Sequence, residues 1–176
     1  MMALRSGGEL DGSGLEAESS PVVQHGKEHG AFEISVDWSD RIVHMKLRGV
    51  WDIVTAEAFC AAILGIGREL AGRPWAILAD STEFRAQSPE VARLRQDTMV
   101  KLRTLRCEKI AVVAASAVYA MQFKRITEDS HVGNGVFPDE KSALDWIHDG
   151  RNQGKKSQPI SATQPIDPRR SRLPAR

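Results

Sequence analysis

The chain has 176 residues, 41% of them hydrophobic and 27% charged, which describes one ordinary soluble domain with some tail and excludes a multidomain machine. Its 24 basic and 23 acidic side chains leave a net charge of +1, so no global field selects nucleic acid, an anionic membrane or an acidic substrate. The two cysteines, Cys60 and Cys107, stand far apart and outside any Cys-x-x-Cys pair, which excludes a disulfide framework and a zinc knuckle and points to a reducing compartment.

Residues 1–30 are rich in Gly, Ser and Glu with scattered apolar positions, and are expected to be a disordered N-terminal tail. The opening Met1 to Gly8 reaches glycine before an apolar h-region forms, so no secretory signal is expected. From Phe32 the period is two: Phe32, Ile34, Val36 and Trp38 alternate with Glu33, Ser35 and Asp37, and after Ser39-Asp40-Arg41 the set Val43, Met45, Leu47 continues the alternation. That pattern predicts a β-hairpin with one dry face. From Thr55 the spacing becomes helical, with Phe59, Ile63, Ile66 and Leu70 on one stripe, and Gly72-Arg73-Pro74 ends the helix.

Trp75 to Ala79 is a short continuous apolar run ending at Asp80, as a central strand covered on both faces requires. Ser88-Pro89-Glu90 then supplies an N-cap, a proline at the first helical position and an early acid, followed by Val91, Leu94, Thr98, Leu102 and Leu105 at helical spacing. Lys109 to Ala114 predicts a second buried strand, Val118 to Ile126 a short helix, Gly135 to Phe137 an edge strand and Pro138 to Ile147 a closing amphipathic helix. The longest apolar run, Ile110 to Met121, is broken by Ser116 and falls short of the roughly 18 residues of a membrane span. A cytoplasmic location follows as the expectation. Gly150 to Arg176 carries four prolines and seven basic residues against one acidic, and reads as a disordered basic C-terminal tail. The fold class is α/β: one domain over residues 31–149, its mixed sheet opened by a hairpin and covered by about four helices.

Chemistry-bearing motifs are sparse. No phosphate-binding Gly-x-x-x-x-Gly-Lys-Ser/Thr string, Gly-x-Ser-x-Gly elbow or His-Glu-x-x-His string occurs, and Gly65-Ile66-Gly67 falls inside the first helix instead of opening one. His25 and His29 have a metal-compatible spacing only if helical, and glycines flank both. Asp80 and Glu83 lie near the top of a strand, where open α/β sheets bind ligands, but a capping or loop-fixing role outweighs acid/base chemistry for them. No catalytic residue, metal or cofactor is expected, and the protein is read as no enzyme.

The stretch Leu47-Arg48-Gly49-Val50-Trp51-Asp52-Ile53-Val54-Thr55-Ala56 leaves a second strand and enters a first helix in the pattern Leu-x-Gly-x-x-Asp-x-x-Thr-Ala. It resembles the STAS domain of anti-sigma factor antagonists and sulphate transporters. Val136 to Ile147 looks like the final strand and helix of the same domain, particularly its SpoIIAA-like branch, which shares its architecture with the CRAL-TRIO lipid carriers. The resemblance spans residues 31–149. In it Gly49 would permit a tight exit from the strand, and Asp52 or Thr55 would cap the helix.

The resemblance also implies a phospho-acceptor Ser or Thr in an Asp-Ser-Ser-Gly-like turn before the second helix. Here that stretch is Asp80-Ser81-Thr82-Glu83-Phe84-Arg85-Ala86-Gln87-Ser88-Pro89-Glu90, and the turn is missing. Ser88 stands about one place before the acceptor, open to two readings: an uncharged N-cap, which is favoured, or a phospho-acceptor at a helix N-terminus. The function expected is a non-enzymatic regulatory or protein-interaction module without the usual phospho-switch. Its partner surface is placed on the second helix, with Met99 and Val100 exposed among Arg93 and Arg103. The alternative is a CRAL-TRIO-like binder of a small apolar ligand or lipid. A protein partner, a homodimer and an apolar molecule therefore stay open, whereas no specific nucleic acid is expected, because the basic tail has no interleaved aromatic residues.

Overall fold

A computed structural model describes residues 23–27 and 30–156, with side chains described at Val23, Gln24 and from Gly30 to Asp149. The strands are β1 (Val23–Lys27), β2 (Gly30–Asp37), β3 (Ile42–Gly49), β4 (Trp75–Phe84), β5 (Cys107–Val113) and β6 (Gly133–Phe137). The helices are α1 (Ile53–Leu70), α2 (Pro89–Thr104), α3 (Ala117–Thr127) and α4 (Glu140–Lys156), with a 3-10 turn at Glu128–Ser130. One six-stranded sheet runs β1-β2-β3-β4-β5-β6. The first three strands pair antiparallel and the rest pair in parallel.

Every parallel crossover advances one strand in the same direction, and such connections are right-handed, so α1, α2 and α3 share one face. The larger core cluster joins that face, with Ile77 and Val112 meeting Phe59, Ile63, Leu102 and Phe123. The other face is covered by α4, whose Ala143 and Ile147 pack on Ile42, Ala76, Leu78, Ala111 and Val113. Strands β4 and β5 are thus dry on both sides, which is why their sequences are continuous apolar runs. Phe32, Ile34, Val36, Val43, Met45 and Leu47 are the inward set of the hairpin, as their alternation predicts.

The structure corrects several expectations. Trp38 is 41% exposed instead of lining the dry face, because β2 ends at Asp37 and Trp38 belongs to the turn. The domain boundary at residue 31 lies inside the sheet: β1 pairs antiparallel with β2, Val23 opposite Ile34, and satisfies the backbone edge that β2 would otherwise expose. At the other end α4 continues past Gly150 to Lys156, since a glycine within a helix costs only about 1 kcal/mol. His25 sits on an extended strand, so the helical spacing to His29 does not apply there, and His29 lies outside the described residues. The remainder of both expected tails lies outside them too, the arginines from Arg169 onward included.

Candidate functional site

The elements converge at the carboxyl ends of β3 and β4. Gly49 leaves β3 with φ 69°, a left-handed conformation that a side chain makes costly. That turn brings Trp51 beneath the chain and places Asp52 at the N-cap of α1, where its carboxylate accepts from the Thr55 amide at 2.7 Å. Asp52 is therefore the cap. Thr55 is buried and supplies the capped N–H.

Strand β4 does not stop at Asp80, as expected, but runs on to Phe84. Lys46 pairs with Asp80 and Arg48 with Glu83, so Leu47 alone faces Ser81 and Thr82, which is a β-bulge. Asp80 closes it, its Oδ1 accepting from Thr82 N at 3.0 Å and Thr82 Oγ1 at 2.7 Å. The extra residue reverses the side-chain parity, so Phe84 points into the α1–α3 layer with Ile77 and Ala79 and not toward α4. Asp80 thus has the loop-fixing role, and the strand order never reverses, so no switch-point crevice of the doubly wound kind forms around Glu83.

Past the bulge, Gln87 ties three segments together. Its Oε1 accepts from Trp51 N at 2.8 Å, and its Nε2 donates to Gly49 O at 3.1 Å and Arg85 O at 2.6 Å. Its backbone is clamped by Gln122 of α3, whose Oε1 accepts from Gln87 N at 2.9 Å and whose Nε2 donates to Gln87 O at 3.0 Å. Ser88 then caps α2, its Oγ accepting from Val91 N at 3.3 Å, with Pro89 at the first helical position. Ser88→Ala is expected to cost about 1 kcal/mol in urea unfolding with an unchanged m-value. A loss near zero would show that the cap contributes nothing.

Between α2 and α3 this clamp leaves an open groove of about 340 Å³, lined by Gln87, Pro89, Ala92, Arg93, Gln96, Gln122, Arg125 and Ile126. Arg93 and Arg125 bring two positive charges to it, and no carboxylate is among its lining residues, although the Asp129 carboxylate at its edge accepts from Gln96 Nε2 at 3.0 Å. Along the helix Arg93, Gln96, Val100 and Arg103 are spaced i, i+3, i+7 and i+10, so groove and outer face form one stripe. Val100 is 44% exposed, in line with the expectation for it.

Met99 overturns its expectation, being 3% exposed and packed in the core. Helix α2 lies between α1 and α3 as well as on the sheet, which widens its buried arc from one stripe to Val91, Arg95, Thr98, Met99 and Leu102. Leu94, predicted to face the core, is only partly buried. Of the residues expected on a partner surface, Arg93, Val100 and Arg103 are exposed and Met99 is not, while Gln96, Gln122 and Arg125 line the groove with Arg93, which no linear pattern announces. Arg95 was missed because a charged residue reads as solvent-facing. Its spacing of i+4 from Val91 and i−3 from Thr98 was nevertheless a visible sign.

The remaining chemistry is quiet. Cys60 and Cys107 are both buried free thiols, and burial raises the pKa of each, which disfavours the reactive thiolate. Among the described residues no three of His, Cys, Asp and Glu gather to hold a metal ion, and no helix is long and apolar enough to cross a membrane.

Compared with known proteins, no family model matches the chain, and no curated protein matches it. The architecture is similar to a crystal structure from Shewanella loihica PV-4, an uncharacterized protein of the DUF3478 family with a SpoIIAA-like fold. The TM-score is 0.54 at 16% identity, over 73% of this chain and 98% of that one. The chain thus has a SpoIIAA-like fold.

Proposed function

We propose that the protein is a non-enzymatic interaction module that holds an acidic segment of another protein along the groove between α2 and α3. The observation that carries this reading is the pairing of Arg93 and Arg125 in a groove with no lining carboxylate, next to the exposed apolar Val100. Rim charges of one sign steer an oppositely charged partner, and an apolar contact beside them adds desolvation energy once docked. A rigid rim supports such docking, because the Gln87–Gln122 clamp holds the start of α2 against α3. The SpoIIAA-like fold agrees with a module of this kind, while fold alone does not choose a function.

Ser88 has the role of a structural cap in this reading, and the missing Asp-Ser-Ser-Gly turn argues against regulation by phosphoryl transfer there. The test compares capture from native extract by the full chain, by Arg93→Glu/Arg125→Glu and by Val100→Glu, with quantitative mass spectrometry. Both variants alter exposed positions and are expected to stay folded. At least one captured protein should fall tenfold or more with the double reversal, equivalent to about 1.4 kcal/mol of binding. It should also fall with Val100→Glu and persist with Ser88→Asp. Identical capture by wild type and both groove variants would overturn the proposal, and loss with Ser88→Asp alone would restore the phospho-switch.

A further inference from the structure

Beneath α2, on the side opposite the groove, Arg95 is 2% exposed. Its Nη2 reaches the Tyr119 hydroxyl at 3.3 Å, while Nε and Nη1 have no hydrogen-bond partner. Neither described ion pair, Arg48–Glu33 or Lys141–Asp145, involves it. Instead its guanidinium carbon stands 5.1 Å from the Phe84 ring centre, 5.7 Å from Trp51, 5.9 Å from Tyr119 and 6.0 Å from Phe59. Ring faces attract a cation, yet they accept no N–H bond of ordinary strength and carry no counter-charge. An arginine does not shed its proton in proteins, so the charge stays buried with donors unused. Beside it lies a small cavity of about 10 Å³, with Arg95, Tyr119, Met45, Met99, Ile110 and Phe123 among its lining.

We infer that this cavity is the head-group site for an apolar monocarboxylate, whose carboxylate pairs with Arg95 while its hydrocarbon part lies against Met45, Met99 and Phe123. The charge selects the class. A carboxylate is acceptor-only and matches the guanidinium fork, and one negative charge neutralises the one buried positive charge, whereas a phosphate dianion would leave an excess. The lining selects the tail, since apart from Arg95 and the Tyr119 hydroxyl every lining side chain is apolar. As it stands the cavity accommodates about one water, so binding widens it. Met45 and Met99 are the unbranched, adaptable side chains that permit such repacking. The site is separate from the outer groove, and either proposal stands if the other fails.

The test uses the purified full chain with sodium octanoate below its micellar range, 1-octanol and sodium chloride as probes, read by thermal unfolding and tryptophan fluorescence. Octanoate should protect wild type saturably and bind at least tenfold more tightly than octanol or chloride. Arg95→Met should abolish that preference at least tenfold while leaving the unliganded melting temperature unchanged or higher, because an uncompensated buried charge is replaced by an apolar chain of similar length. If Arg95→Met fails to fold, Arg95→Lys retains the charge but not the planar fork, and should bind octanoate more weakly than wild type does. No protection by octanoate, equal protection by octanol, or equal protection by chloride would each overturn the inference. So would undiminished octanoate binding by Arg95→Met.

Discussion

Trp51→Ala is expected to lower the unfolding free energy by about 3–5 kcal/mol, the largest loss for any single side chain near the site. Trp51 is 3% exposed, with its ring centroid 4.7 Å from Phe84, 4.9 Å from Phe59 and 5.8 Å from Phe32. Its indole N–H is shared between Arg48 O at 3.2 Å and Ala31 O at 3.3 Å, which joins the end of β3 to the start of β2. Truncation removes both donations and opens a void that the surrounding rings, Phe32 held against Phe59 and Phe84 against Tyr119, fill only in part. The close approach is also why residue 30 is glycine: a Cβ there would lie 2.4 Å from Val50 O and 2.8 Å from Trp51 Cδ1. Urea unfolding of Trp51→Ala and Trp51→Phe checks this, the phenylalanine variant losing less because a ring is kept. A loss below about 1 kcal/mol for Trp51→Ala would mean that the aromatic layer is not the keystone of the core.

Gln87→Leu is expected to cost about 2 kcal/mol, although the substitution keeps most of the volume and makes the side chain more apolar. Gln87 is 6% exposed, and its amide satisfies Trp51 N and Gly49 O at the turn between β3 and α1. Leucine leaves Trp51 N without its partner, while Gly49 O keeps the Arg85 amide at 3.1 Å, and an unsatisfied buried group costs about 1–3 kcal/mol. Hydrogen exchange offers a second readout: the Trp51 amide should exchange faster in Gln87→Leu than in wild type, out of proportion to the change in global stability. A loss near zero with unchanged Trp51 exchange would show that water or local rearrangement replaces the amide. Gln122→Leu, which removes the clamp on the Gln87 backbone, should weaken capture of an acidic partner by the groove more than Ser88→Ala does.

The elements that could be read from the sequence are those in which one face meets one environment. Phe32 to Leu47 alternates because the hairpin has one dry side, and Trp75 to Ala79 and Ile110 to Val113 are continuous because helices cover both sides. Ser88-Pro89 is legible as a helix start because capping is settled within three residues of chain, and of the two caps left open for the first helix, Asp52 and Thr55, the structure selects Asp52. The order of elements from β2 to α4 follows from local periodicity, whereas β1 lies in a stretch that reads as a tail, and the direction in which the sheet winds is a finding of the structure.

What the sequence by itself determined is therefore the fold class, the start of α2 at Ser88-Pro89 and the exposure of Arg93, Val100 and Arg103, while the tight exit at Gly49 was implied by the family resemblance. Only the tertiary structure decided the rest. The bulge that carries β4 to Phe84 depends on register with β3, the burial of Met99 on α2 being flanked by two helices, and the Gln87–Gln122 clamp on residues 35 positions apart. Arg95 makes the physical reason plain. Helical spacing places it on the inner stripe, its charge argues for water, and the four rings that surround it come from the β3–α1 connection, α1, β4 and α3. Local pattern reports which way a side chain points, whereas the energy of what it meets is a property of segments that only folding brings together.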